Sequence, residues 1–256
     1  DEACALRLVR RLRGEGPGAF AHRPLSLEFF GHCALDLLRA HGRGAELPAH
    51  FHTALSIEFS GTAGETDVAL SALDTELSGM GCDSDATWLA VEAPEHERLK
   101  EFRHRVPETV NRLIADRRRS NPGITKLGTD MAVPDAHLES MMRLYRDTLS
   151  AEGLEYVIFG HIGDNHVHVN ILPRTEAEYR RGKELYGGFA RAAVAYGGTI
   201  SAEHGVGRLK TELLRGMAGD AGIAAMRAVK AVFDPEGRLN RGVLFAPAPV
   251  TPSPSD

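Results

Sequence analysis

Three histidines and an amide fall within the run GHIGDNHVHVN at 160–170: His161, His166, His168 and Asn170. Imidazole is the commonest protein ligand for divalent transition metals and exchanges protons readily near neutral pH. One histidine on a strand is ordinarily just solvated; this density points to a site. Downstream, GGTISAEHGVG at 197–207 sets Glu203 and His204 between four glycines, Gly197, Gly198, Gly205 and Gly207. Such glycines imply backbone packed closely against a ligand or forced into positive φ. Taken alone, the run reads equally well as an ordinary loop. Two imidazoles and a carboxylate make a three-ligand set with an open position, the catalytic rather than the structural metal pattern. No HExxH occurs, and GVGRLK lacks both the third glycine and the preceding strand of a phosphate loop. A third set is cationic: Arg103, Arg105 and Lys126. Spacing alone leaves these three as solvated charges.

The elements that must position these groups follow from periodicity. Residues 154–161 and 166–172 alternate around IGDN and read as a β-hairpin. Val167, Val169 and Ile171 then point to one face, and His166, His168 and Asn170 to the other. His161 falls opposite His166 and diagonal to His168, with diagonal Cα atoms roughly 7–8 Å apart. Helical spacing is found over 2–13, 65–77, 135–151, 208–215 and 220–233, and in a helix capped by Thr175. Ser26 reads as the N-cap of a helix that carries Leu27, Phe30, Ala34, Leu37 and Leu38 and ends near Gly42. Residues 95–118 form a long helix that Pro107 kinks or restarts. Strands are expected at 54–59, 88–91 and 124–134. The only close strand pair is antiparallel, so the fold class is α+β.

Composition excludes several functions. The chain has 256 residues, 43% hydrophobic and 25% charged, with a net charge of −5. That is the profile of a globular domain with a proper core and no basic excess for nucleic acid. No run reaches the roughly 20 apolar residues of a membrane helix, and the N-terminus carries no secretory signal. Three dispersed cysteines suit a reducing compartment, so a cytoplasmic location is expected, with peripheral membrane association as the other option. The Pro/Ser/Ala-rich tail at 246–256 is expected to be disordered.

The ordered motifs FRHRVPETVN, KLGTDMAVP, GHIGDNHVHVNILP, GGTISAEHGVGRLK and FDPEGRLNRGVLF resemble the C-terminal domain of FAD-linked oxidases. This is the vanillyl-alcohol-oxidase-type superfamily that includes D-lactate dehydrogenase, glycolate oxidase and D-2-hydroxyglutarate dehydrogenase. The resemblance implies a cap, or substrate, domain over 1–245, with a ferredoxin-like antiparallel sheet flanked by helices. The N-terminal FAD-binding domain is expected to lie outside this chain, as is the first cap strand, making the chain a fragment or one part of a split enzyme. By motif, His161, His168 and Glu203 resemble the divalent metal ligands (Zn, Mn or Fe), and His204 the residue taking the hydroxyl proton. Arg103, Lys126 and Asn170 resemble substrate contacts, and Asn240 a residue of the terminal segment that returns to the flavin.

The implied partners are a small 2-hydroxy acid, an FAD domain or subunit, an electron-acceptor protein or quinone, and a second copy of the chain in a homodimer. Two departures from the pattern stand out. The usual GDGN is GDNH here, placing Asn165 and His166 where glycine and asparagine are common, and LNPG has become LNRG. The residues by themselves leave open a free-standing metal-dependent hydrolase and a non-catalytic subunit of a flavoprotein complex.

Overall fold

The computed structural model describes residues 1–14, 20–45, 47–82 and 87–245. The tail expected to be disordered lies outside these residues. In chain order the elements are α1 (Glu2–Leu12), β1 (Ser26–Phe30), α2 (His32–Ala40), β2 (Ala54–Glu58), α3 (Ala63–Gly79) and α4 (Ala93–Ser120). They continue with β3 (Leu127–Gly128), α5 (Leu138–Ala151), β4 (Tyr156–Gly160), β5 (His168–Ile171), α6 (Glu176–Ala195) and α7 (Thr211–Phe233). The strands form one antiparallel sheet in the order β2-β1-β4-β5-β3, which bears out the α+β class. Among the described residues no helix is long and apolar enough to cross a membrane.

Side-chain alternation gives the sheet two faces with separate cores. Leu27, Phe29, Tyr156, Ile158, Val169 and Ile171 pack with α1, α5 and α6 on one face. Phe30, Val157 and Leu172 pack with α2 and the Phe102, Val106, Val110 and Ile114 stripe of α4 on the other. Burying each such side chain stabilises the fold by roughly 1.5–3 kcal/mol.

Several local expectations are corrected. The segment after Ser26 is strand β1, followed by the shorter helix α2, where a single helix was expected. Leu27 and Phe29 alternate with Glu28 and Phe30 between two sheet neighbours, and that pairing overrides the helical spacing. Residues 88–91 form no strand: Trp88 packs edge-on against Phe102, while Leu89 and Val91 are exposed. Of the two options for Pro107 the restart does not hold: it lies inside the continuous helix α4, whose apolar stripe runs on both sides of it. The strand expected over 124–134 pairs as a ladder only at Leu127–Gly128, with a further bridge from Ala132 to both His166 and Thr199. The two expected C-terminal helices are the halves of α7, separated at Gly219.

The glycine-rich segment is held by backbone proximity. A Cβ on Gly198 would lie 2.2 Å from Ala132 O and 2.9 Å from Ala193 O, so no side chain fits there. Gly197, Gly205 and Gly207 have positive φ. The positive-φ reading of these glycines therefore holds at three positions, while the close approach at Gly198 is to the chain's own backbone. Gly198→Ala should lower stability in urea by about 2–3 kcal/mol through overpacking. Gly187→Ala in α6, where a Cβ meets only the end of Arg191 at 3.4 Å, should be neutral or slightly stabilising. Equal midpoints for the two variants would show that the close approach at Gly198 is relieved at no cost.

Candidate metal and substrate site

The hairpin places its histidines as the alternation requires. The β4–β5 register pairs Phe159 with His168. The connection is a 3₁₀ turn over Ile162–Asp164, and the His166 N–H donates to His161 O at 3.1 Å. His161 and His166 thus face each other across the turn. The imidazole rings of His161 and His168 are 5.5 Å apart, and those of His166 and His168 4.6 Å. Asn165 closes the turn at φ +54, the left-handed conformation that explains why glycine is common here. Its side chain compensates by bonding Arg13 and Asp135.

Glu203 and His204 come from the glycine-rich segment, and Asp130 holds that segment in place. The buried Asp130 carboxylate accepts from the backbone N–H groups of Ala202 (3.2 Å), Glu203 (3.1 Å) and His204 (3.2 Å). It also accepts from the Ser201 hydroxyl at 2.7 Å and from Lys210 Nζ at 2.5 Å. Burial pushes the Asp130 carboxyl up, but the bonds from Lys210, Ser201 and the Glu203 N–H outweigh it and hold the group well below the usual carboxylate range.

So anchored, Glu203 reaches three rings. Its carboxylate oxygens lie 3.3 Å from His161 Nε2, 3.1 Å from His168 Nε2 and 2.9 Å from His204 Nε2. The far nitrogen of each hairpin histidine is occupied: His161 Nδ1 sits 2.8 Å from the buried Glu28, and His168 Nδ1 3.2 Å from Thr129 O. That arrangement fixes the ring orientations and leaves both Nε2 atoms facing Glu203. Burial lowers the pKa values of His166 and His168, favouring the neutral, ligand-competent imidazole.

Among the described residues, donor atoms of His161, His166, His168 and Glu203 all lie within 4.8 Å of one another. His166 Nε2 is buried 3.2 Å from Asp130 Oδ1 yet makes no hydrogen bond. An orphaned ring nitrogen beside two imidazoles and a carboxylate fits a cation, since the donors are those that borderline metals prefer.

The remaining sequence candidates divide into two groups. Arg103 is drawn in: its guanidinium lies 2.6 Å from Glu28, which also holds His161. Asn170 is buried on the His168 face, over Gly128. Lys126 is half-buried just before β3, and burial lowers its pKa, with no carboxylate partner among the described residues. His204 is at the exposed rim. Asn240 stays out of the cluster, in the exposed terminal segment at φ +46; that segment is tied to the glycine-rich loop by the Leu244 N–H donating to Gly207 O at 2.9 Å. Glu28, Asp130 and Lys210 were not among the expected site residues, and His166 was expected in the cluster but not among the metal ligands. The signal for Asp130 was a charge within an otherwise apolar segment, between Thr129 and Met131. Glu28 was hidden by the helical reading of its strand.

Asp130→Asn should cost about 3–5 kcal/mol of stability in urea, because Lys210 loses its buried counter-charge. Asp130→Asn combined with Lys210→Met should cost clearly less than the two single changes summed. Strict additivity in that cycle would show that the pair does not act as a unit.

The chain matches the family described as FAD linked oxidases, C-terminal domain, over residues 5–244. It is 34% identical over 124 residues to the glycolate oxidase subunit GlcD of Bacillus subtilis (strain 168), covering 48% of this chain and 26% of that protein. It is 43% identical over 99 residues to the D-2-hydroxyglutarate dehydrogenase of Stutzerimonas stutzeri (strain A1501), covering 36% and 21%. Against the probable mitochondrial D-lactate dehydrogenase of Danio rerio it is 30% identical over 190 residues, covering 73% and 36%. The aligned regions thus span 21–36% of the length of these relatives. With the match running almost end to end and the antiparallel sheet carrying its histidine hairpin, the chain belongs to the FAD-linked oxidase C-terminal domain family.

Proposed function

We propose that this chain is the substrate- and metal-binding domain of an FAD-dependent dehydrogenase that oxidises a D-2-hydroxy acid to the 2-oxo acid. The convergence of His161 Nε2, His168 Nε2 and Glu203 on one point carries the reading. These three are the proposed metal ligands, with His166 as a fourth donor beneath them. When bound, a divalent ion (Zn, Mn or Fe) supplies Lewis acidity at the substrate hydroxyl, and FAD, held by the partner domain, supplies the redox chemistry.

The chain's own residues bind and orient. Arg103 keeps the free edge of its guanidinium for the substrate carboxylate while Glu28 steadies its other nitrogen. The half-buried Lys126 ammonium gains the counter-charge it lacks when that carboxylate binds. The Asn170 amide contributes a hydrogen bond from the His168 face. His204 takes the hydroxyl proton on its imidazole, at the exposed rim where a partner domain has access. Asn240 belongs to the segment facing that partner. A hydrolase lacks support because the further carboxylates beside the cluster are already engaged, Glu28 by His161 and Arg103 and Asp130 by Lys210 and the 201–204 segment. The electron acceptor is a protein or quinone, which fits a cytoplasmic or peripherally membrane-bound homodimeric enzyme.

Titration of the metal-stripped chain with Zn²⁺ or Mn²⁺ should give about one equivalent bound, lost in His161→Ala and in His168→Ala. Unchanged stoichiometry in both variants would refute the ligand assignment. In the complete enzyme at saturating metal, His204→Ala should slow flavin reduction by roughly 100-fold or more in stopped flow, with a much smaller change in substrate affinity. A wild-type reduction rate under those conditions would remove His204 as the base and leave it an orienting partner of Glu203.

A further inference from the structure

Far from the histidine cluster, two of the three cysteines meet. Cys4 lies in the first turn of α1 and Cys82 just beyond the end of α3, and their Sγ atoms are 3.9 Å apart. Both are reduced and partly accessible. Helix ends fix both positions. The Cys4 N–H donates to the N-cap side chain of Asp1 at 2.8 Å. At the end of α3 the chain turns through Gly81 (φ +72), with the Gly81 N–H on Ser78 O at 3.0 Å and the Cys82 N–H on Leu77 O at 2.9 Å. That pair of bonds is a Schellman cap, which sets the direction of the residue after the glycine. Elsewhere along the two helices, Arg11 of α1 is ion-paired with Glu76 of α3, so the helices are held together at a second point.

We propose that Cys4 and Cys82 are a reversible redox site that closes to a disulfide in the presence of a small-molecule disulfide. A bond of roughly 2 Å between the sulfurs needs each to move by about 1 Å, within reach of side-chain rotation. One cysteine thiolate attacks the small disulfide, forming a mixed disulfide and releasing one small thiol. The second cysteine thiolate then attacks the protein sulfur of that mixed disulfide and releases the other small thiol. The protein loses two electrons and two protons, which leave on the two thiols.

The closed bond staples α1 to the α3 cap across 78 residues of sequence, a long loop for a cross-link. At its other end α1 continues into Arg13, which holds Asn165 and Asp135 beside the histidine turn. The third cysteine, Cys33, is a built-in control. Its thiol contacts His32 rather than another cysteine.

Treating the reduced 256-residue chain with oxidised glutathione tests the site. Reactive thiols counted in denaturant should fall from three to one, and non-reducing peptide mapping should find Cys4 joined to Cys82 within one chain. The melting temperature should rise by roughly 5–15 °C, reversed by dithiothreitol. Cys33→Ser should retain the bond and the shift, and Cys4→Ser and Cys82→Ser should lose both. Glutathione adducts on separate cysteines, bonds involving Cys33, bonds between chains, or a bond with no rise in melting temperature would each overturn the proposal.

Discussion

A single buried carboxylate organises the functional end of this domain. Asp130 receives three consecutive backbone N–H groups, a hydroxyl and an ammonium, all from the ten residues 201–210. A buried charge is tolerated only when paired and hydrogen-bonded, and here almost every bond comes from the segment that carries Glu203 and His204. Stabilising Asp130 and shaping that segment are thus one physical requirement. The glycines allow the segment to lie close to Ala132; Asp130 and Lys210 decide where Glu203 and His204 end up.

The sheet solves a second problem by separating its faces. The alternation that buries Val167, Val169 and Ile171 against α5 and α6 necessarily projects His166, His168 and Asn170 the other way. That second face is not open water. Phe30, Val157, Leu172 and the α4 stripe cover part of it with apolar contact, and the histidines occupy the neighbouring part. Burial there lowers the pKa values of His166 and His168. The same burial makes each polar partner count: Glu28, itself buried, serves both His161 and Arg103 and so links strand β1, the hairpin and helix α4 through one carboxylate.

Burial grades across the cluster in a functionally sensible order. Asp130 and His166 are buried at its floor, His161 and His168 are partly covered, and Glu203 and His204 form the rim. Buried groups lie beneath and exposed ones above, an arrangement that holds geometry while leaving access from one side. The terminal segment is joined to the glycine-rich loop by the Leu244–Gly207 hydrogen bond and carries exposed Leu239. Both features suit a domain whose chemistry is completed by another.

The sequence by itself determined the hairpin, the face on which its histidines lie, the capped helices α3 and α6, and the family, because each is written in local periodicity, cap residues or contiguous motifs. Asn165 shows how far such reading reaches: its departure from glycine was visible, but the Arg13 and Asp135 bonds that make it tolerable were not. Only the tertiary structure decided that the Ser26 segment is a strand, since two sheet neighbours outweigh its helical spacing. Only it decided that Glu28 meets His161 across 133 residues and that Asp130 meets the 201–210 segment across more than 70. Those pairings join residues whose neighbours in the chain carry no trace of the partner. A buried carboxylate announces that it must be paired, but chain topology alone selects with what.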